Sequence, residues 1–303
     1  MNDLADPVSA LREARRRRTL RNALCDLWEV GLFRLLRLLP IDWARAIGRW
    51  LTLREIRANR PWVERRARAN LVRLQPDKSE DNHERSVQAF LEHLAAFVGE
   101  VPTVGRQTFN GRVEIIGEQH LRAASPDGGL VLIGLHIGNW ELLGEALQTL
   151  GIEASFFYEH AESEAQTRIL REIRHRLGLK LLEAKLSGVR EALRDLRAGR
   201  TVGIFGDEIR TGRIMAPLFG RAPHTDGNLS IAARLARKAR APIVICYAPR
   251  DPDGRFRVTF LPPVYLASEP LDLLADVAAL NALIEPLILA HLEQWFFLDD
   301  ALE

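Results

Sequence analysis

Gly129-Leu130-Val131-Leu132-Ile133-Gly134-Leu135 is the stretch on which the fold turns. Seven residues without a charge are too few for a buried helix and suit a strand covered on both faces, the habit of parallel sheets. The pattern repeats outward from it. Short apolar segments at Val113–Ile116, Ala154–Tyr158, Thr201–Phe205, Pro242–Tyr247 and Phe256–Leu261 read as further strands. Helical spacing fills the gaps at Trp140–Leu150, Glu162–Leu177, Val189–Ala198 and Asn228–Arg240, and a last helix at Leu271–Trp295 contains Pro286. Strands alternating with helices predict an α/β fold with a mixed, mostly parallel sheet flanked by helices.

Before residue 106 the texture is different. Helices are expected at Asn22–Leu39, Trp43–Leu53, Pro61–Arg73 and Glu84–Gly99. In the first, Leu24, Leu27, Trp28, Gly31, Leu32, Leu35, Leu38 and Leu39 form one apolar stripe, with Asp26, Glu29, Arg34 and Arg37 largely off it and Pro40 as its stop. Four charges in eighteen residues exclude a clean transmembrane helix, and no small-residue cleavage site marks a secretory signal. The net charge of the chain is +2, but residues 1–75 hold 17 Lys/Arg against 8 Asp/Glu. That excess, with the Arg12–Arg21 cluster beside a Leu/Trp-striped helix, favours an anionic membrane surface over nucleic acid. The expected organisation is therefore a basic, amphipathic helical region at 1–105, membrane-associated, continuous with an α/β core at 106–303.

Cys25 and Cys246 have neither CxxC nor zinc-type spacing and read as free buried thiols in a reducing compartment. The histidines other than His136 show no metal-ligand spacing, so no metal is expected. Without GxSxG, a Walker loop or GxGxxG, serine-hydrolase, NTPase and dinucleotide chemistry lose support, and no cofactor is expected.

The strand at 129–135 runs directly into Leu135-His136-Ile137-Gly138-Asn139-Trp140-Glu141. Ligands of open α/β sheets gather at carboxyl ends of strands, where His136 falls. Gly138 lets the chain fold back, so that Glu141, opening the next helix, can reach the imidazole and fix its tautomer, as in a base–acid dyad. The backbone at Gly138–Asn139 is a candidate for binding an oxyanion. On these residues alone, a core histidine and a favourable helix-start charge are equally compatible with the pattern.

HIGNWE (136–141) resembles the H-x4-(D/E) signature of the lysophospholipid acyltransferase superfamily, in the HxGNWE form of the bacterial lipid A biosynthesis (lauroyl/myristoyl) acyltransferases. Further blocks in order are similar to that family: RANLVRL at 68–74, VEIIGEQHL at 113–121, Gly206-Asp207-Glu208, APLFGRAP at 216–223, and Gln294-Trp295. The likeness covers about residues 15–297. It departs at Asp207-Glu208, where the family usually has Asp-Gln, in the following linker, and after Trp295.

The resemblance implies an O-acyltransferase that moves a fatty acyl chain from acyl carrier protein or acyl-CoA to a membrane glycolipid such as a lipid A precursor. Its expected place is the cytoplasmic face of the bacterial inner membrane, peripheral or shallowly inserted. His136 would be the base and Glu141 its orienter. Arg174 and Arg176, like the family's Arg-rich stretch, and Arg210 and Arg213 would contact phosphate or headgroup, a solvated helix or loop face being the alternative. Asp207 is a second carboxylate expected to approach the cleft, with a plain strand-end turn as its alternative. Asn139, Glu208, Phe219 and Gly220 complete the expected substrate-binding set, the last two as site wall. Phosphatidylinositol mannoside or a lysolipid remains open as acceptor, as does thioester hydrolysis by the same dyad.

Overall fold

The computed structural model describes residues 25–124, 128–159, 163–210, 212–267, 271–300 and 302. The Arg12–Arg21 cluster lies outside them. A helix over residues 25–38 (α1) leads to α2 (Ile41–Asn59), α3 (Pro61–Leu74) and α4 (Glu80–Glu100). There follow β1 (Val113–Ile116), α5 (Glu118–Ala124), β2 (Leu130–Gly138), α6 (Leu142–Thr149), β3 (Ala154–Tyr158) and α7 (Glu164–Arg176). Next come β4 (Lys180–Glu183), α8 (Leu186–Arg197), β5 (Thr201–Phe205) and a two-stranded hairpin, β6 (Ile209–Arg210) and β7 (Arg213–Ile214). The chain ends with α9 (Asn228–Ala239), β8 (Ile243–Ala248), β9 (Phe256–Phe260) and α10 (Leu273–Ala290).

Seven strands form one sheet in the order β1-β9-β8-β2-β5-β3-β4. All neighbours are parallel except β8 and β9, so the expected mixed, mostly parallel sheet is what the chain builds. β2 is central, and from Leu130 to Leu135 it is buried throughout, as its unbroken apolar run requires. One face of the sheet packs with α9, α10 and the N-terminal residues Ile56, Val63, Ala67, Leu71 and Phe90; the other packs with α6, Phe33 and Val101.

Several particulars differ from expectation. β4 and the β6–β7 hairpin were not expected, since two to four residues carry too little periodicity. In α1 the buried side chains are Phe33 and Leu36, while Leu27, Trp28, Leu35 and Leu38 of the expected stripe are exposed. Cys25 is exposed and only Cys246 is buried. The last helix stops at Ala290 and takes Pro286 inside it. By length and composition α10 could cross a membrane, yet Val277, Leu280, Ile284 and Ile288 lie in the core.

Candidate active site

β2 and β5 are adjacent and parallel, so residues just past their carboxyl ends meet. His136 lies near the end of β2, and Asp207 lies two residues beyond β5. The Asp207 carboxylate, fully buried, lies 2.8 Å from His136 Nδ1 through Oδ1. Its Oδ2 accepts the His136 backbone N–H at 2.9 Å and the Trp295 indole N–H at 2.9 Å. A carboxylate opposite Nδ1 makes that nitrogen the donor, which leaves Nε2 as the lone-pair nitrogen. Three donors converging on one buried carboxylate also supply what its removal from water demands.

The imidazole is held in an aromatic frame. Phe205 stacks on it with centroids 4.2 Å apart, while Phe297 at 4.8 Å and Trp140 at 5.0 Å meet it edge-on. Its side chain keeps 16% exposure, so it remains reachable. The frame depends on a glycine: a Cβ at Gly134 would come within 2.9 Å of the Phe205 ring. The closing segment is tied down too, with Phe296 N–H donating to His136 O at 2.9 Å and the Gln294 amide bonded both ways to the Arg250 backbone.

Gly138 has φ +66°, and a Cβ there would strike Ala248 O at 2.1 Å. The fold-back expected at this glycine is present, but it does not bring Glu141 to the imidazole. Glu141 instead receives two hydrogen bonds from Arg174, Nη2–H at 2.6 Å and Nε–H at 3.1 Å. The orienting role expected of Glu141 is thus corrected: Asp207 occupies Nδ1, and the carboxylate of Glu141 is one half of a nearly buried ion pair. Arg174 is likewise committed. Burial alone would lower its pKa, but the charge and hydrogen bonds of Glu141 outweigh that and raise it. The backbone N–H of Asn139 donates to Ala248 O at 3.0 Å and so is not free for an oxyanion. The Asn139 side-chain amide is buried beside Glu100.

The remaining expected residues scatter around this centre. Glu208 accepts from Asn228 N–H at 2.7 Å, and burial pushes its pKa up to about 8. Arg210 donates to Asn228 Oδ1 at 2.8 Å and to Asp226 O at 3.1 Å. Arg213 is exposed on β7. Arg176 is half-buried, 3.9 Å from Glu172, with its pKa lowered by burial and by Arg37. Phe219, at φ +62°, has its N–H held by Glu285 at 2.8 Å and presents its ring edge to Trp295 at 5.7 Å. That left-handed backbone is uncommon for a non-glycine residue, and the carboxylate is what secures it. Gly220 follows at φ +79°.

Two members of the site carried little sequence signal. Trp295 stood in a recognisable block but without a role, and Phe205 read only as the last apolar residue of a strand. Their function depends on the order of strands in the sheet.

A lone-pair nitrogen on an oriented imidazole, reachable from outside and walled by aromatics, can take a proton from a hydroxyl or from water. The family model described as bacterial lipid A biosynthesis acyltransferase matches residues 12–302. No curated protein matches the chain.

Proposed function

We infer the function from a plain premise: the chain belongs to the bacterial lipid A biosynthesis acyltransferase family and is an acyltransferase. It transfers a fatty acyl group from a thioester, on acyl carrier protein or CoA, to a hydroxyl of a membrane glycolipid such as a lipid A precursor. His136 is the general base. The observation that carries this reading is the Asp207–His136 pair at the carboxyl edge of the sheet, 2.8 Å apart, which leaves Nε2 to act.

The chemistry follows from the proton positions. Nε2 removes the acceptor hydroxyl proton as that oxygen attacks the thioester carbonyl. The tetrahedral intermediate collapses by breaking the C–S bond, and the imidazolium returns the proton to the departing thiolate. Asp207 stabilises the imidazolium in between and holds its tautomer. The Glu141–Arg174 pair acts one layer away, bracing the start of α6 against α7. The protein acts at the cytoplasmic face of the inner membrane, where the exposed Leu27, Trp28, Leu35 and Leu38 of α1 enter the interface and nearby arginines meet anionic headgroups.

Purified protein given acyl carrier thioester and a glycolipid acceptor should yield acylated glycolipid by mass spectrometry. Free fatty acid as the main product, with a full acceptor panel present, would point to a thioesterase instead.

A further inference from the structure

α2 presents a face that no described residue covers. Ile41, Ala44, Gly48 and Ile56 are its buried residues. Gly48 meets Gly99 of α4 so closely that a Cβ there would lie 2.3 Å from Gly99 Cα. This backbone-to-backbone crossing fixes which way α2 faces. At 100° per residue, Trp43, Trp50, Arg54 and Arg57 stand roughly half a turn from the buried side. Trp43 is 66% exposed and Trp50 is 60% exposed.

Beside them lies a groove of about 680 Å³ lined by Arg49, Trp50, Leu53, Arg54, Arg57 and Glu92. Arg49 is neutralised by an ion pair with Glu92. Arg54 places its guanidinium 5.8 Å from the centre of the Trp50 ring. Among the described residues, neither Arg54 nor Arg57 has a carboxylate partner. The groove thus sets Trp50 and Leu53 beside two guanidinium groups that have no carboxylate partner among the described residues, a fit to a phosphate attached to an apolar chain.

The tryptophans identify the occupant. The chain has six: Trp140 and Trp295 belong to the active site, and the other four fall between residues 28 and 62. All four are exposed. Exposed Trp interleaved with Arg is the composition of the headgroup level of a bilayer, where the indole is half-wet and guanidinium meets lipid phosphate. An acidic protein surface would use the arginines but give no reason to leave so many indoles in water.

We propose that the α2 groove is a headgroup site for anionic phospholipid, a second bilayer contact besides α1. The inference rests on the membrane reading given above. It orients the molecule by two helices rather than by one anchor.

The test uses the full chain and vesicles of phosphatidylcholine with and without phosphatidylglycerol, read by co-sedimentation. R54Q/R57Q should weaken binding to phosphatidylglycerol vesicles about twenty-five-fold, from about fivefold for each charge near the surface. R54K/R57K should retain most of it, and W50A should weaken binding to both vesicle types. Each variant should keep the parent's thermal unfolding and its acyl transfer in detergent. Loss of transfer in detergent by the parent itself would count against the proposed function, not against this site. Unchanged phosphatidylglycerol binding by R54Q/R57Q overturns the proposal. So does unchanged vesicle binding with lost affinity for acyl carrier protein, which would assign the groove to an acidic protein. Displacement from vesicles by soluble glycerol phosphate would likewise overturn it in favour of a free-phosphate site.

Discussion

His136 and Asp207 are 71 residues apart in sequence and 2.8 Å apart at Nδ1 and Oδ1. The contact exists because β2 and β5 are neighbours in the sheet, and it is doubled by the His136 backbone N–H on the second carboxylate oxygen. Both the tautomer and the tilt of the imidazole are thereby set by one side chain.

Asp207→Asn tests that dependence. The amide can present its NH2 to Nδ1 and so favour the wrong tautomer, and it cannot stabilise an imidazolium. Acyl transfer should fall by about 10²-fold or more in kcat, the range of a lost general base, with KM little changed. Retained fold by circular dichroism and near-parent kcat together would remove Asp207 from the mechanism.

Trp295→Phe removes one donor from the same carboxylate while keeping most of the ring. A hydrogen bond to a charged group is worth about 1.5–3 kcal/mol. Part of that loss should appear in stability and part as an altered pH profile of kcat. A stability loss with an unmoved pH profile would make Trp295 a packing residue only.

Glu141 and Arg174 should behave as a structural pair. Arg174→Ala leaves a buried carboxylate unpartnered and should destabilise the fold by about 3–5 kcal/mol. Glu141→Gln/Arg174→Met should recover much of this in urea unfolding. Additive losses in the double variant would show that the two groups are not coupled.

The sheet was legible in the sequence where strands are long and apolar, and least legible where pairing decides. The segment 129–135 announces a buried strand because seven uncharged, mostly apolar residues are too few for a buried helix. β4, Lys180–Glu183, does not, because its exposed edge residues break the apolar run. His136 and Gly138 were readable because strand-end placement and a forced turn are local properties. The partner of His136 was not: Glu141 is close in sequence, whereas Asp207 is close only after β5 lies beside β2. The direction of α1 was equally hidden, since its apolar stripe looks the same whether it faces a core or a bilayer. Phe33 and Leu36 decide it by packing inward.

Glu208 gives the fold a pH dependence. Burial raises its pKa from 4.5 to about 8, so between those values the folded state holds a proton that the unfolded chain has released. Its contribution is fully present below about pH 4.5 and is lost as pH rises toward 8, by about 1.4 kcal/mol per pH unit at most. Glu208→Gln, which can still accept from Asn228, should flatten the fall in Tm between pH 5 and 8. An unchanged Tm–pH slope in the variant would mean that Glu208 is ionised in the fold.

The most direct measurement is acyl transfer by His136→Ala, followed by mass spectrometry of the glycolipid product beside an unfolding curve of the same preparation. General-base action by His136 requires that the folded variant transfer at least about two decades more slowly than the parent, the contribution of a positioned general base. A folded His136→Ala protein that transfers acyl chains at a near-parent rate would contradict it.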